Sequence, residues 1–233
     1  MSVKNSFIGE EFLDASVTPA VRGFVHRASA VGGQGDGLVF THGAGSNCNA
    51  PMLVAFAEAF ARAGITVLRC DLPYRQKRAS GPPRNSAEDR AGLRNAVLAM
   101  RGLAPGRLFL GGQSYGGRQA TMLAAEEPGL VDGLVICSYP LHPPGKPEQM
   151  RTAHLTNLQT PALFVHGSQD PFATHDEMQQ ALKLIPAATL LVEIEGAGHD
   201  LYGRGKNIRS DLPGLLLSKF SSFLAPAGAR AAF

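Results

Sequence analysis

Cysteine is scarce in this sequence: Cys48, Cys70 and Cys137 are the only three in 233 residues. An odd, widely spaced set builds no disulfide framework. Cys70 and Cys137 close apolar, strand-like runs, as packing thiols do, which points to a reducing, cytoplasmic compartment. Long hydrophobic runs are also missing. No stretch approaches the ~18 apolar residues of a spanning helix, so a membrane-embedded chain is not expected. The first twenty residues carry Glu10, Glu11 and Asp14 and hold no continuous apolar core, so they do not read as a secretory signal. Charge of one sign is not in excess either. A formal net of +3 is too small to argue for a nucleic-acid partner. No compact His/Cys/Asp/Glu set has metal-ligand spacing, and neither a metal nor a cofactor is expected.

What the chain has in quantity is apolar residue and turn residue. Hydrophobic residues make up 44% and charged residues 18%, which suits a globular core. Gly 27 and Pro 16 are high for the length and imply many tight turns between short elements. Apolar, β-rich runs at 39–41, 65–70, 107–110, 133–137, 162–165 and 190–194 alternate with helical spacing at 50–63, 115–127, 176–184 and about 208–224. A further helix is expected from Ser86, as N-cap, to about Arg101, with Glu88 and Asp89 lending negative charge to its positive end. Near-continuous apolar strands alternating with helices predict a three-layer α/β/α sandwich around a mostly parallel sheet. Six strands are clear, and 21–28 is an irregular or antiparallel candidate. Only 71–85 and 139–159 are long connections, which leaves no room for a large cap domain. The expected organisation is an N-terminal extension, 1–22, and a single domain over 23–233.

One run stands out: Leu108-Phe109-Leu110-Gly111-Gly112-Gln113-Ser114-Tyr115-Gly116-Gly117. A strand runs into Gly-x-Ser-x-Gly and then into a helix, the sequence form of a sharp turn that lifts one serine hydroxyl above the sheet edge. Glycine flanks the serine because a Cβ at Gly112 or Gly116 would meet the turn's own backbone. Serine needs a base to be nucleophilic near neutral pH, and imidazole has a suitable pKa. Of seven histidines, His199 follows the last clear strand within Gly196-Ala197-Gly198-His199-Asp200 and is the candidate base, with His142 as the alternative. His26 reads as a surface residue and His175 as a solvated one near a helix start. Asp170, after the strand 162–165, is the candidate that orients the base. Asp132 lies at the wrong end of the sheet, and Asp200 is too close in sequence to orient its neighbour.

An acyl-transfer site also needs donors for a developing oxyanion. The backbone N–H of Tyr115 is one. The second is expected from His42-Gly43-Ala44-Gly45, with Ala44 first and Gly45 next, while His42 pins the loop. Tyr74, Leu141, His142, Phe172 and His42 are candidate pocket residues. Arg69, Arg75, Lys77, Arg78 and Arg84 form a basic cluster that reads either as a solvated loop or as a rim favouring anionic substrates.

The order Ser114, Asp170, His199, together with His42-Gly43-Ala44-Gly45 and Gly198-His199, resembles the α/β-hydrolase superfamily over nearly the whole chain. Tyr139-Pro140-Leu141-His142-Pro143-Pro144-Gly145 and Asp71-Leu72-Pro73-Tyr74 make it similar to the small dienelactone-hydrolase-like branch, in particular the domains of testis-expressed and chromatin-complex-subunit proteins. The resemblance implies a catalytic triad of Ser114, Asp170 and His199. Dienelactone hydrolases proper carry a cysteine nucleophile where this chain has Ser114, so dienelactone cleavage is not carried over. The expected activity is that of a serine hydrolase, carboxylesterase- or thioesterase-like, acting on a small ester or thioester through an acyl-enzyme. The alternatives are acyl transfer or peptide cleavage by the same residues, or a scaffold without turnover.

Overall fold

The computed structural model describes residues 9–29, 35–201 and 210–224. Eight strands form one sheet: β1 (Glu10–Asp14), β2 (Val21–His26), β3 (Gly37–Thr41), β4 (Thr66–Cys70), β5 (Leu108–Gln113), β6 (Gly133–Cys137), β7 (Ala162–Gly167) and β8 (Thr189–Ile194). Their order across the sheet is β1-β2-β4-β3-β5-β6-β7-β8. The five pairings from β4 through β8 are parallel, and β1 and β2 join antiparallel at one edge.

Side-chain alternation along the parallel strands divides the core into two faces. Leu38 and Phe40 of β3, Phe109 of β5, Val135 of β6 and Val165 of β7 pack on one side. There they meet α1 (Pro51–Arg62) and α6 (Leu212–Leu224), with Phe220 edge-on to both Phe109 and Phe60. Val39, Leu110, Ile136 and Phe164 face the other way, toward α3 (Ser86–Arg101), α4 (Tyr115–Glu126) and α5 (His175–Leu182). Both faces are covered, so every residue of β3, β4 and β6 is buried; β3 and β6 read as near-continuous apolar runs, while β4 is interrupted by Arg69, which is buried against His26. The expected three-layer sandwich with a mostly parallel sheet is the observed architecture. A five-residue helix, α2 (Pro73–Lys77), and a 3-10 turn (Leu155–Asn157) occupy the two long connections, and neither forms a large cap.

Three expectations change. The boundary at residue 22 falls inside β2, and the described part of the expected extension, 9–22, is woven into the sheet through β1. That edge strand, EEFLD, is charged and half-exposed, so it carries no apolar run to read. The cap of α3 is Asn85, whose Oδ1 accepts from Glu88 N–H at 3.2 Å, and Ser86 is the first helical residue. Asparagine and serine are equivalent as caps, so two adjacent candidates differ by one residue of register. The last helix starts at Leu212; Ile208, its expected beginning, lies outside the described residues.

Candidate active site

Parallel strands deliver their C-terminal ends to one edge, and the connections leaving that edge carry the chemistry. At the end of β5 the chain turns through Ser114 at φ 51°, ψ −117°, and enters α4 at once. A non-glycine residue in this region is strained and is held by its surroundings. Ser114 N–H donates to Cys137 O at 2.8 Å, and Ser114 O accepts from Arg118 N–H at 2.9 Å. Gly116 packs so closely under the loop after β3 that a Cβ there would lie 2.5 Å from His42 O. The turn at the serine and the neighbouring loop are therefore built against each other.

The loops after β7 and β8 are laced together in the same way. Gln169 N–H donates to Ala197 O and Ser168 N–H to Ile194 O. Gly196 N–H donates to Ser168 Oγ. A Cβ on Gly167 would lie 2.4 Å from Ala197 O, so only glycine admits the crossing chain. The result brings three side chains into line. His199 Nε2 is 2.8 Å from Ser114 Oγ, and His199 Nδ1 is 2.8 and 3.0 Å from the two oxygens of Asp170. The Asp170 carboxylate is fully buried and also accepts from Phe172 N–H at 2.9 Å. An ionised carboxylate is acceptor-only, which puts the imidazole proton on Nδ1 and leaves Nε2 to take the serine proton. Phe172 stacks on the imidazole, with ring centroids 4.0 Å apart.

The turn 43–46 lies beside Ser114, with a Cβ position on Gly43 only 3.5 Å from Ser114 Cβ. Its carbonyls are pinned. Gly43 O accepts from His42 Nδ1, Ser46 N–H and Tyr74 Oη, and Ala44 O accepts from Tyr74 Oη at 2.8 Å. In a trans peptide the C=O and the following N–H point in opposite directions. Fixing these two carbonyls therefore directs the N–H groups of Ala44 and Gly45 away from Tyr74. His42 is fully buried, and its Nε2 accepts from Leu72 N–H at 3.1 Å. Burial lowers its pKa and keeps the ring neutral, which that bond requires.

The other candidates separate. His142 bonds Pro143 O and Glu177, and Leu141 is enclosed in the core rather than lining a cleft. His26, expected at the surface, is buried and accepts from Arg69 Nε at 2.8 Å. His175 pairs with Glu193 at 2.8 Å. Burial pushes the Cys137 thiol up to about 12 and the Cys48 thiol to the same range, so neither is a ready nucleophile. The basic cluster is largely committed: Arg69 bonds His26 and Cys48 O, Lys77 pairs with Glu88, and Arg75 is buried against main-chain carbonyls.

Asp89 has a different role from the one its place in the first turn of α3 implies. It is buried, accepts from Tyr115 Oη at 2.8 Å and from Tyr74 N–H at 3.1 Å, and so ties the residue after Ser114 to the helix that supports the 43–46 turn. Desolvation raises its pKa, opposed by those two bonds. Arg75 entered the sequence reading only within the basic cluster, as a solvated loop or a rim for anions; its available signal was position, since 71–75 leaves the same sheet edge as the serine.

The chain belongs to the family described as alpha/beta hydrolase domain, matched over residues 34–212. Among solved structures it is similar to an alpha-beta serine hydrolase homologue from Coxiella burnetii, at 18% identity and TM-score 0.73, covering 94% of this chain and 99% of that one. A serine hydrolase without lid, XC6422 from Xanthomonas campestris, matches at 18% identity and TM-score 0.73 over 94% and 96%. Dienelactone hydrolase from Anabaena variabilis matches at 21% identity and TM-score 0.70 over 92% and 98%. At these identities the likeness is one of fold. Among the described residues no helix is long and apolar enough to cross a membrane.

Proposed function

We propose that the protein is a serine hydrolase that cleaves small esters or thioesters through an acyl-enzyme. The observation that carries this is the continuous line from Ser114 Oγ through His199 to the buried Asp170, each link at 2.8 Å. As Ser114 Oγ attacks the substrate carbonyl, its proton passes to His199 Nε2. The imidazolium so formed is stabilised by Asp170, and the carbonyl oxygen gains negative charge. The N–H of Tyr115, at the start of α4, and those of Ala44 and Gly45 receive that oxyanion. Collapse of the tetrahedral species expels the alcohol or thiol, which takes the proton from Nε2. Water then repeats the sequence on the acyl-serine, with the same histidine as base, and releases the acid.

Two further features support small substrates. Among the described residues, the two long connections hold a five-residue helix and a 3-10 turn, which build no deep tunnel, and XC6422 is likewise described as lacking a lid. The similar Est1E from Butyrivibrio proteoclasticus has been solved with ferulic acid bound, at 16% identity, which fits a site of this fold taking a small carboxylic acid. The test is a series of activated esters and thioesters of increasing acyl length. The expected result is turnover that is greatest for short acyl groups and lost in Ser114→Ala. Turnover that keeps rising beyond acyl chains of about eight carbons, more than an open cleft of this kind covers, would contradict the substrate class. Activity retained in Ser114→Ala would contradict the mechanism.

A further inference from the structure

Arg75 is the most heavily bonded cation of the site edge. It is 6% exposed, and all of its donors go to main-chain carbonyls. Nε donates to Ser46 O at 2.8 Å and Nη2 to Ala44 O at 2.9 Å, both within the turn beside Ser114. Nη1 donates to Ala79 O at 2.6 Å, with longer bonds from Nη1 to Arg78 O and from Nη2 to Gly81 O. Its guanidinium carbon lies 5.0 Å from the centroid of Tyr74, whose hydroxyl holds the same Ala44 carbonyl. Among the described residues no carboxylate forms an ion pair with Arg75. A cleft of about 370 Å³ opens here, walled by Ala44 and Gly45 on one side and 79–82 on the other, with Arg75 between.

We propose that Arg75 is a positioning residue for the oxyanion site: it clamps the 43–46 turn to the 78–81 segment and holds a positive charge on the carbonyl side of the peptide planes whose N–H groups face the developing oxyanion. This rests on the reading of Ser114 as nucleophile. Two consequences of the geometry separate the role from plain packing. The bonds run to the carbonyls of Ala44 and Ser46, so they fix peptide planes rather than fill space, and a peptide plane carries its N–H with it. Among the described residues the charge meets no counter-ion, so it acts on whatever negative charge forms next to the turn, and because the Arg75 side chain is buried that interaction is screened less than one at the surface. The same geometry argues against Arg75 as an anchor for an anionic substrate. Its five donors are already spent, and a substrate carboxylate would have to displace main-chain acceptors to reach it.

The experiment compares Arg75→Gln and Arg75→Lys with wild type, using Arg84→Gln as a control for loop charge. The readouts are kcat and KM for p-nitrophenyl acetate and for its anionic hemisuccinate counterpart, and the affinity of phenylboronic acid, which forms a tetrahedral anionic adduct on the serine. Loss of a well-placed oxyanion donor costs ~10²–10³ in kcat, so loss of its support is expected to cost about tenfold or more with Arg75→Gln. That loss should be equal for both esters, leave KM little changed, and be matched by weaker boronate binding. Arg75→Lys, which keeps the charge and loses the fork, should fall between; Arg84→Gln should match wild type. An unchanged kcat, or a rise in KM confined to the anionic ester, overturns the proposal. If Arg75→Gln does not fold, Tyr74→Phe removes the other support of Ala44 O and carries the same prediction, and unaltered boronate affinity there also overturns it. A wild-type enzyme that cleaves neither ester counts against the hydrolase reading, whereas an active wild type with indifferent Arg75 variants counts against this inference alone.

Discussion

Asp170 spends its carboxylate on two partners, the Nδ1–H of His199 and the N–H of Phe172, and none of it faces water. In the proposed mechanism its work is to fix a tautomer. An asparagine at this position keeps the shape but offers an N–H where His199 needs an acceptor, and the imidazole then turns its own proton toward Ser114. Asp170→Asn is therefore expected to lower kcat by roughly 10³–10⁴ with KM nearly unchanged and the fold intact by circular dichroism. A loss of less than tenfold would mean that Asp170 does not set the protonation of the base. At this scale the candidate triad was legible in the sequence, because Ser114, Asp170 and His199 each follow a strand in a fixed order, and the fold brings their side chains together. Arg75 and Asp89 were not. Both lie among polar residues whose default reading is a solvated surface, and only the fold shows that each turns inward to carbonyls or phenols.

Elements meet where side chains are absent. The loops after β7 and β8 cross at Gly167, and their backbone hydrogen bonds set the distance between Asp170 and His199. A methyl group at 2.4 Å from Ala197 O cannot be absorbed by a rotamer, because the obstacle is main chain. Gly167→Ala should push the loops apart, costing ~1–3 kcal/mol of stability and a larger fraction of kcat than of KM. Urea unfolding and steady-state kinetics on the same preparation check both, and an unchanged kcat would show that the crossing does not hold the site. Helices α1, α3, α4, α5 and α6 and the six apolar strands were legible from periodicity, whereas the short α2 lies in a connection that reads as a polar loop. β1 was not, since a charged edge strand pairs through its backbone and leaves no hydrophobic pattern. The cap of α3 was ambiguous by one residue because Asn85 and Ser86 are both good caps.

Across the whole molecule, burial also writes a pH dependence. His42, His154 and His166 all have pKa values lowered by desolvation, His154 to about 4 with Arg118 and Arg90 adding to the shift. Each binds its proton more readily unfolded than folded. Stability is therefore complete above the unfolded value of 6.5 and is lost as pH falls from there toward about 4. For His154 alone the slope is at most about 1.4 kcal/mol per pH unit in that window. Urea unfolding at pH 7, 6 and 5 should show falling stability, and His154→Gln should flatten the fall. An identical slope in the variant would remove His154 from the account. The layered architecture itself was the most legible feature of the chain, because a sheet buried on both faces leaves continuous apolar strands.

The central claim is that Ser114 is a nucleophile activated by His199. Incubation with a fluorophosphonate probe, followed by mass mapping of the adduct, tests it most directly. The account predicts one adduct, on Ser114, absent in Ser114→Ala and formed far more slowly in His199→Ala. An unlabelled wild-type chain, or an adduct on any other residue that survives Ser114→Ala, would contradict it.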